Sequence, residues 1–227
     1  LQTGSPVALP WLDEVAAVIQ AWYPGQECGN AIADVLLGDV TPSGKLTQTW
    51  PRRPEDNPAY LNYPGENGHV HYGERMFVGY RWYEARDIAP LFPFGFGLSY
   101  TTFTYGDLTL DRAEFGPGET VTASIRITND GPVAGAEVVQ VYVEDVESAL
   151  SRPHKELKGF RKVVLAPGAS ATVQIPLDHA AFAAWDDALH AWHAEAGEFV
   201  IHAGASSADI RASARLTLTA DETFLHP

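Results

Sequence analysis

The sequence predicts an α/β segment, an ordered linker and an all-β sandwich, in that order along the chain. Three observations predict it. A compact apolar run, Val18 to Tyr23, precedes a stripe with helical spacing at Ile32, Val35 and Leu36, and strand followed by helix implies an α/β layer. Residues 51–97 hold six prolines and six glycines between aromatic clusters and show no sustained period. From about Leu98 the apolar spacing becomes two, the period of a strand that buries one face. The expected boundaries are therefore 1–50, 51–97 and 98–227.

Within the first part, Pro10 introduces a short helix over Trp11 to Val15, with Asp13 and Glu14 where a helix N-terminus favours negative charge. The run Val18–Tyr23, stopped by Pro24-Gly25, suits a buried strand of a parallel sheet. An amphipathic helix from Asn30 closes at Gly38, and after the turn Thr41–Gly44 a further extended segment runs from Lys45 to Trp50. The linker is expected to be plastered against neighbouring domains. Its aromatics, among them Tyr60, Tyr63, Tyr72, Tyr80 and Tyr83, gain by burial, whereas flexible linkers are polar.

In the last part Val121, Ala123, Ile125 and Ile127 alternate with Thr122, Ser124, Arg126 and Thr128, and Val139, Val141 and Val143 alternate with Gln140 and Tyr142. Turn signals at Gly116-Pro117-Gly118, Asn129-Asp130-Gly131-Pro132 and Pro167-Gly168 separate such runs, which predicts a sandwich of about seven strands. The Ala-rich stretch His179–Trp192 is expected to form a helical turn.

Composition bounds the function. Fifteen Lys and Arg against 29 Asp and Glu give a net charge of −14, and no basic surface is in prospect that neutralises phosphates, so nucleic acid is excluded as a partner. No run approaches the roughly 20 apolar residues of a membrane span, so no membrane partner is expected. A single cysteine, Cys28, excludes an internal disulfide and a cysteine-built metal site and leaves the compartment open. Leu1 to Ser5 has no signal-peptide character and reads as the interior of something longer.

Several residues invite chemistry. Glu27 follows the end of the expected parallel strand, where α/β sheets place ligand crevices, although a place near the next helix N-terminus accounts for an acid there equally well. Glu74, beside Arg75, reads as half of an interdomain ion pair. His190 and His193 stand three apart, but with no further ligand nearby they read as surface residues flanking Trp192. Ser43-Gly44-Lys45 lacks the upstream glycine of a phosphate loop, and Tyr100 stands where a dinucleotide loop opening at Gly95 needs its third glycine. Gly95 and Gly97 instead suggest close backbone approach where the linker enters the sandwich.

Taken together, Thr3–Val7, Ala21-Trp22-Tyr23-Pro24-Gly25-Gln26-Glu27, Ala33–Val40, Pro42–Leu46, Phe77–Tyr83 and Phe92–Phe103 resemble, in order, the C-terminal part of glycoside hydrolase family 3, most closely its β-glucosidase members. Leu157–Phe160 and Gly204–Ile210 are similar to the fibronectin type III-like domain that ends many of these enzymes. The resemblance covers nearly the whole chain. It implies residues 1–50 as the end of an α/β sandwich domain, and retaining hydrolysis of terminal β-D-glucosyl units by an aspartate nucleophile and a glutamate acid/base.

Both catalytic carboxylates belong, by the same resemblance, to upstream parts of the family architecture, so no catalytic residue is assigned. The turn carrying Trp22, Tyr23, Gln26 and Glu27 is expected to approach the cleft and touch substrate. No metal or organic cofactor is required, since two carboxyl groups suffice. The implied partner is the N-terminal part of the same enzyme, with a barrel domain, and the implied ligand is a β-glucoside or oligosaccharide. Residues 1–97 should then expose large apolar patches in isolation. A β-xylosidase of the same family and a non-catalytic carbohydrate-binding or adhesion sandwich are the alternatives; the latter needs an outward aromatic row where the period places Thr, Ser and Arg. Cys28 stands where relatives often carry glycine and is expected to pack as a small apolar group at the helix start.

Overall fold

The computed structural model of the chain describes residues 1–226. Eleven strands follow Leu98 among the described residues. They are β1 (Phe103–Leu110), β2 (Glu114–Phe115), β3 (Val121–Asn129), β4 (Gly135–Asp145), β5 (Glu156–Leu165), β6 (Ser170–Leu177), β7 (Ala184–Asp186), β8 (Ala191–Ala194), β9 (Gly197–Ser206), β10 (Asp209–Leu218) and β11 (Glu222–Phe224). A three-stranded sheet β1-β3-β6 faces a five-stranded sheet β2-β10-β9-β4-β5, and a small sheet β11-β8-β7 closes one end. The count exceeds the seven expected because β7 and β8 of the closing sheet arise from the stretch read as a helical turn, and the short strands β2 and β11 add two more. Only His179–Ala181 is helical there, as one 3₁₀ turn; β7 and β8 pair Trp185 with Trp192 across a hairpin. Alanine-rich composition suggested helix, but the Asp186–His190 turn and the register against β8 override it.

The period-two reading holds on β3, where Val121, Ala123, Ile125 and Ile127 are buried and Arg126 is exposed. These meet Val139, Val141 and Val143 of β4 and Phe199 and Ile201 of β9 in one core. Phe182 anchors it, with Phe115 at 4.5 Å and Phe199 edge-on at 5.3 Å between ring centroids. On β4 the alternation breaks: Gln140 and Tyr142, on the face expected to be polar, are also buried. The linker covers them. The Tyr142 ring packs edge-on against Tyr80, and Gln140 Nε2 donates to the Gly95 and Ala205 carbonyls.

That cover includes a helix absent from the sequence reading, α2, set apart here from the earlier helix α1 (Cys28–Leu37); α2 spans Tyr80–Ala85. Three contacts fix it to the sandwich: the Leu157 N–H donates to Tyr80 Oη at 2.7 Å, Arg81 pairs with Glu156 at 3.2 Å, and Lys155 pairs with Glu84 at 2.6 Å. Gly95, with φ +81°, lies so close to Gln140 that no Cβ fits, and Gly97 lies as close to the Gly44 carbonyl, as expected from their place at the entry to the sandwich. Asn129, fully buried, bolts the junction. Its Nδ2 donates to the Val133 and Leu165 carbonyls, while its Oδ1 accepts from Thr101 Oγ1 and the Gly131 N–H.

Upstream, Leu12–Glu14 forms a 3₁₀ turn, and α1 ends on Gly38 at φ +85°, close to the expected bounds. Val18–Tyr23 is not a buried strand. It is extended through Ala21, with Leu1 beside it: the Leu1 amino group donates to the Ile19 carbonyl and the Ala21 N–H to the Leu1 carbonyl, as in a parallel pair. No further strand flanks it among the described residues, Val18 is exposed, and Trp22 ends the run at φ +53°. A parallel strand is stable only when laddered and covered. Lys45–Trp50 is extended only in part: it bonds antiparallel to Phe92–Phe96 through Leu46 and Trp50, with a bend at Thr47 and Gln48 between them.

The linker aromatics divide. Tyr80 and Tyr83 are buried, but Tyr63 and Tyr72 are exposed, so the expectation of burial holds only on the side that meets the sandwich. Residues 1–97 expose the apolar surface expected of them: Tyr23, Leu36, Leu37, Leu61, Tyr63 and Tyr72 are each at least 64% exposed.

Candidate functional site

The turn from Trp22 to Glu27 is shaped by two left-handed residues, Trp22 at φ +53° and Gly25 at φ +72°. Gly25 adopts this conformation without strain, whereas a tryptophan there costs about 1 kcal/mol or more and needs support from its surroundings. Trp50 supplies it. Trp50 is almost fully buried, and its indole meets Trp22 edge-on at 6.5 Å between centroids. Tyr23, next in sequence, points the other way and is 83% exposed, with its hydroxyl lying over Gly4. The left-handed residue thus sends one aromatic inward and presents the other to solvent.

Gln26 and Glu27 are exposed at the start of α1. Glu27 is the N-cap, yet its carboxylate does not cap the helix; Oε2 accepts from Asn30 Nδ2 at 2.8 Å. Cys28 opens the helix half-buried, and its sulfur accepts from Gln2 Nε2 at 2.9 Å, a polar contact rather than the apolar packing expected. The turn therefore brings together one fixed aromatic, one exposed aromatic, an amide and a single carboxylate. That set can stack on and hydrogen-bond a sugar, but hydrolysis needs two carboxyl groups, and residues 20–30 contain only Glu27.

A cleft of ≈ 980 Å³ lies beside this turn, between segment 5–8, segment 47–60 and the linker around Tyr80–Tyr83. None of Trp22, Tyr23, Gln26 or Glu27 lines it. The two features share a wall, since Thr49 and Pro51 face the cleft while Trp50 between them supports Trp22. Burial, helped by the nearby Asp56 charge, pushes the Tyr83 phenol up to about 12, so it stays protonated at neutral pH. Arg53 is held further above its ordinary range by its hydrogen bond to Asp56 at 2.9 Å.

The other candidates resolve without chemistry. Glu74 accepts from Asn62 Nδ2 at 3.1 Å and makes no ion pair with Arg75 among the described residues. His190 sits in the β7–β8 turn at φ +50° and His193 on β8, so they share no helical face; His193 bonds Thr223, and no group of metal-ligating side chains forms among the described residues. Lys45 pairs with Glu137 at 2.9 Å and holds no phosphate loop. Trp50 is the residue that sequence reasoning missed: it closes an extended segment before a proline, and nothing in the local pattern distinguishes it from an ordinary buried aromatic.

Comparison with known proteins places both halves. The glycosyl hydrolase family 3 C-terminal domain matches residues 1–100, and the fibronectin type III-like domain matches residues 137–207. The thermostable beta-glucosidase B of Acetivibrio thermocellus is 50% identical over 210 residues, which cover 92% of this chain and 28% of that protein. The structure of a Kluyveromyces marxianus beta-glucosidase in complex with glucose superposes with TM-score 0.93 at 46% identity, over 98% of this chain and 26% of that one. A Bifidobacterium adolescentis GH3 beta-glucosidase superposes equally well, TM-score 0.93 at 45% identity, over 100% of this chain and 33% of that one. Residues 1–100 carry the C-terminal domain of glycosyl hydrolase family 3, and the chain spans about a quarter to a third of the length of these relatives.

Proposed function

We propose that this chain works as the C-terminal part of a retaining β-glucosidase that removes terminal, non-reducing β-D-glucosyl units from glycosides or oligosaccharides. Residues 1–50 complete an α/β domain, residues 51–97 form the linker, and residues 98–227 are the terminal sandwich. In this reading Trp22, Tyr23, Gln26 and Glu27 form one edge of the substrate cleft, Tyr23 offering an aromatic face to a sugar ring and Gln26 and Glu27 offering hydrogen bonds. The nucleophile and the acid/base belong to the catalytic partner, the N-terminal part of the same enzyme, and two carboxyl groups perform the reaction without a cofactor.

The observation that carries the reading is the contrast in burial. The sandwich encloses its core, while residues 1–97 leave Leu36, Leu37, Leu61, Tyr63 and Tyr72 exposed, as expected of a module seated on another. The similarity to beta-glucosidases of Acetivibrio thermocellus and Kluyveromyces marxianus supports the assignment of sugar. The test is to express the chain with an N-terminal family 3 catalytic partner and assay aryl β-glucoside and β-xyloside turnover. Activity on the glucoside by the assembly, and none by the chain alone, is expected. Turnover of the xyloside alone overturns the sugar assignment, and glycoside hydrolysis by the isolated chain overturns the division of labour.

A further inference from the structure

Trp22 carries the backbone strain of the candidate site, and what supports it lies outside the turn. Its indole leans on Trp50 at 6.5 Å; Trp50 in turn meets Phe92 edge-on at 6.4 Å, and Phe92 stacks on Phe96 at 5.2 Å. Each link is an edge or stacked contact of a kind that stabilises beyond burial, so Trp50 is itself held firmly where it meets Trp22. Backbone bonds reinforce the run, because the Trp50 N–H donates to the Phe92 carbonyl at 2.8 Å and Leu91 donates back to Trp50. The run ends on the sandwich, where Gln140 donates to the Gly95 carbonyl and the Ser207 N–H to the Phe94 carbonyl.

We propose that Trp50 is a positioning residue for substrate binding: through the aromatic run Trp22–Trp50–Phe92–Phe96 it holds the Trp22–Glu27 turn in its strained shape and ties that shape to the sandwich. The inference rests on the reading of this turn as a cleft edge. A tryptophan at φ +53° persists only where its surroundings over-determine it, and Trp50 is the ring in contact with it. Loss of Trp50 lets Trp22 relax toward ordinary backbone, which moves Tyr23 and Glu27 together. Trp50 itself is buried and touches no substrate, so its effect falls on substrate affinity and orientation rather than on the chemical step.

The experiment uses the intact glycosidase carrying this segment, with 4-nitrophenyl β-glucoside as probe. Variants Trp50→Leu, Trp50→Phe and Trp22→Ala are compared by kcat, KM and near-UV circular dichroism, which reports the Trp22–Trp50 ring pair. Trp50→Leu should raise KM about 10-fold with kcat changed less than about threefold, and Trp50→Phe, which keeps a ring against Trp22, should recover most of the affinity. If Trp50→Leu fails to fold, Trp50→Phe carries the test: the ring-pair signal should change and KM should rise by about two- to threefold. Unchanged KM in a folded Trp50 variant, with Trp22→Ala impaired, overturns the positioning role while leaving the cleft-edge reading intact. Unchanged kinetics in Trp22→Ala overturns the cleft-edge reading itself and the positioning role with it.

Discussion

The sandwich and the segment before it bury apolar residues to opposite degrees although the sequence is equally apolar in both. In the sandwich Phe182, Phe199, Ile127 and Ile201 are sealed between two sheets, and outward positions on β3 carry Thr, Ser and Arg. In α1 none of the ten residues is buried, and Leu36 and Leu37 face solvent. A helix of that pattern forms because its spacing and its glycine cap permit it, but most helical stability comes from packing an apolar face. The difference separates what local pattern secures from what only a neighbouring layer secures.

Cutting the chain gives the largest effect on that comparison. Residues 98–227 should unfold in a single cooperative transition, and residues 1–97 should show none, as followed by circular dichroism on heating. A cooperative melt of residues 1–97 alone would mean that the exposed face is no interface. Point substitutions sharpen the contrast. Phe182→Ala, at the centre of the core, should cost about 3–5 kcal/mol in urea unfolding, whereas Leu61→Ala, which is 92% exposed, should stay within about 0.5 kcal/mol in this chain. Equal costs would erase the distinction between the regions.

An effect smaller than that of the core substitution lies at the seam and depends on pH. Burial pushes the Glu156 carboxyl up, but Lys158, Arg152 and Arg81 together outweigh it, and Glu156 titrates below the ordinary glutamate range. A folded-state value below the unfolded one adds stability that is present above the unfolded pKa and lost as pH falls through the folded pKa. Glu156→Gln should therefore cost about 1–2 kcal/mol at neutral pH, with the gap from the parent protein closing in acid. A gap that is constant across the acid range would assign Glu156 a role of shape rather than charge.

How much of this was legible follows from which interactions are local. The period on β3 and the glycine at the end of α1 are set by neighbours in sequence or by backbone geometry, and both are read correctly; the close approach at Gly95 is read from the glycine itself, although its partner Gln140 lies 45 residues on. Val18–Tyr23 has the composition of a parallel strand, yet strand pairing is non-local, and only the short segment Leu1–Thr3 bonds along it among the described residues. The β7–β8 hairpin hides in alanines that favour helix until Trp192 and Trp185 pair across it. Gln140 and Tyr142 look like the polar side of a strand because nothing in β4 announces that the linker lies over them. At the candidate site Tyr23, Gln26 and Glu27 are recognisable by their place after the apolar run, whereas the support from Trp50 comes from 28 residues downstream and is written in no local motif.

Asn129 gives the junction a property of its own. One side-chain amide engages the strand that leads in from the linker, the following turn and the end of β5, and its four bonds leave it no alternative partner arrangement. The sandwich is thus mounted as a bracket, not hung from a tether, and that amide with Thr101 joins the α2 contacts in setting its bearing on the linker. Grafting a sandwich from one relative onto another will preserve that bearing only if the splice lies upstream of Thr101, so that the threonine and the asparagine travel as a pair.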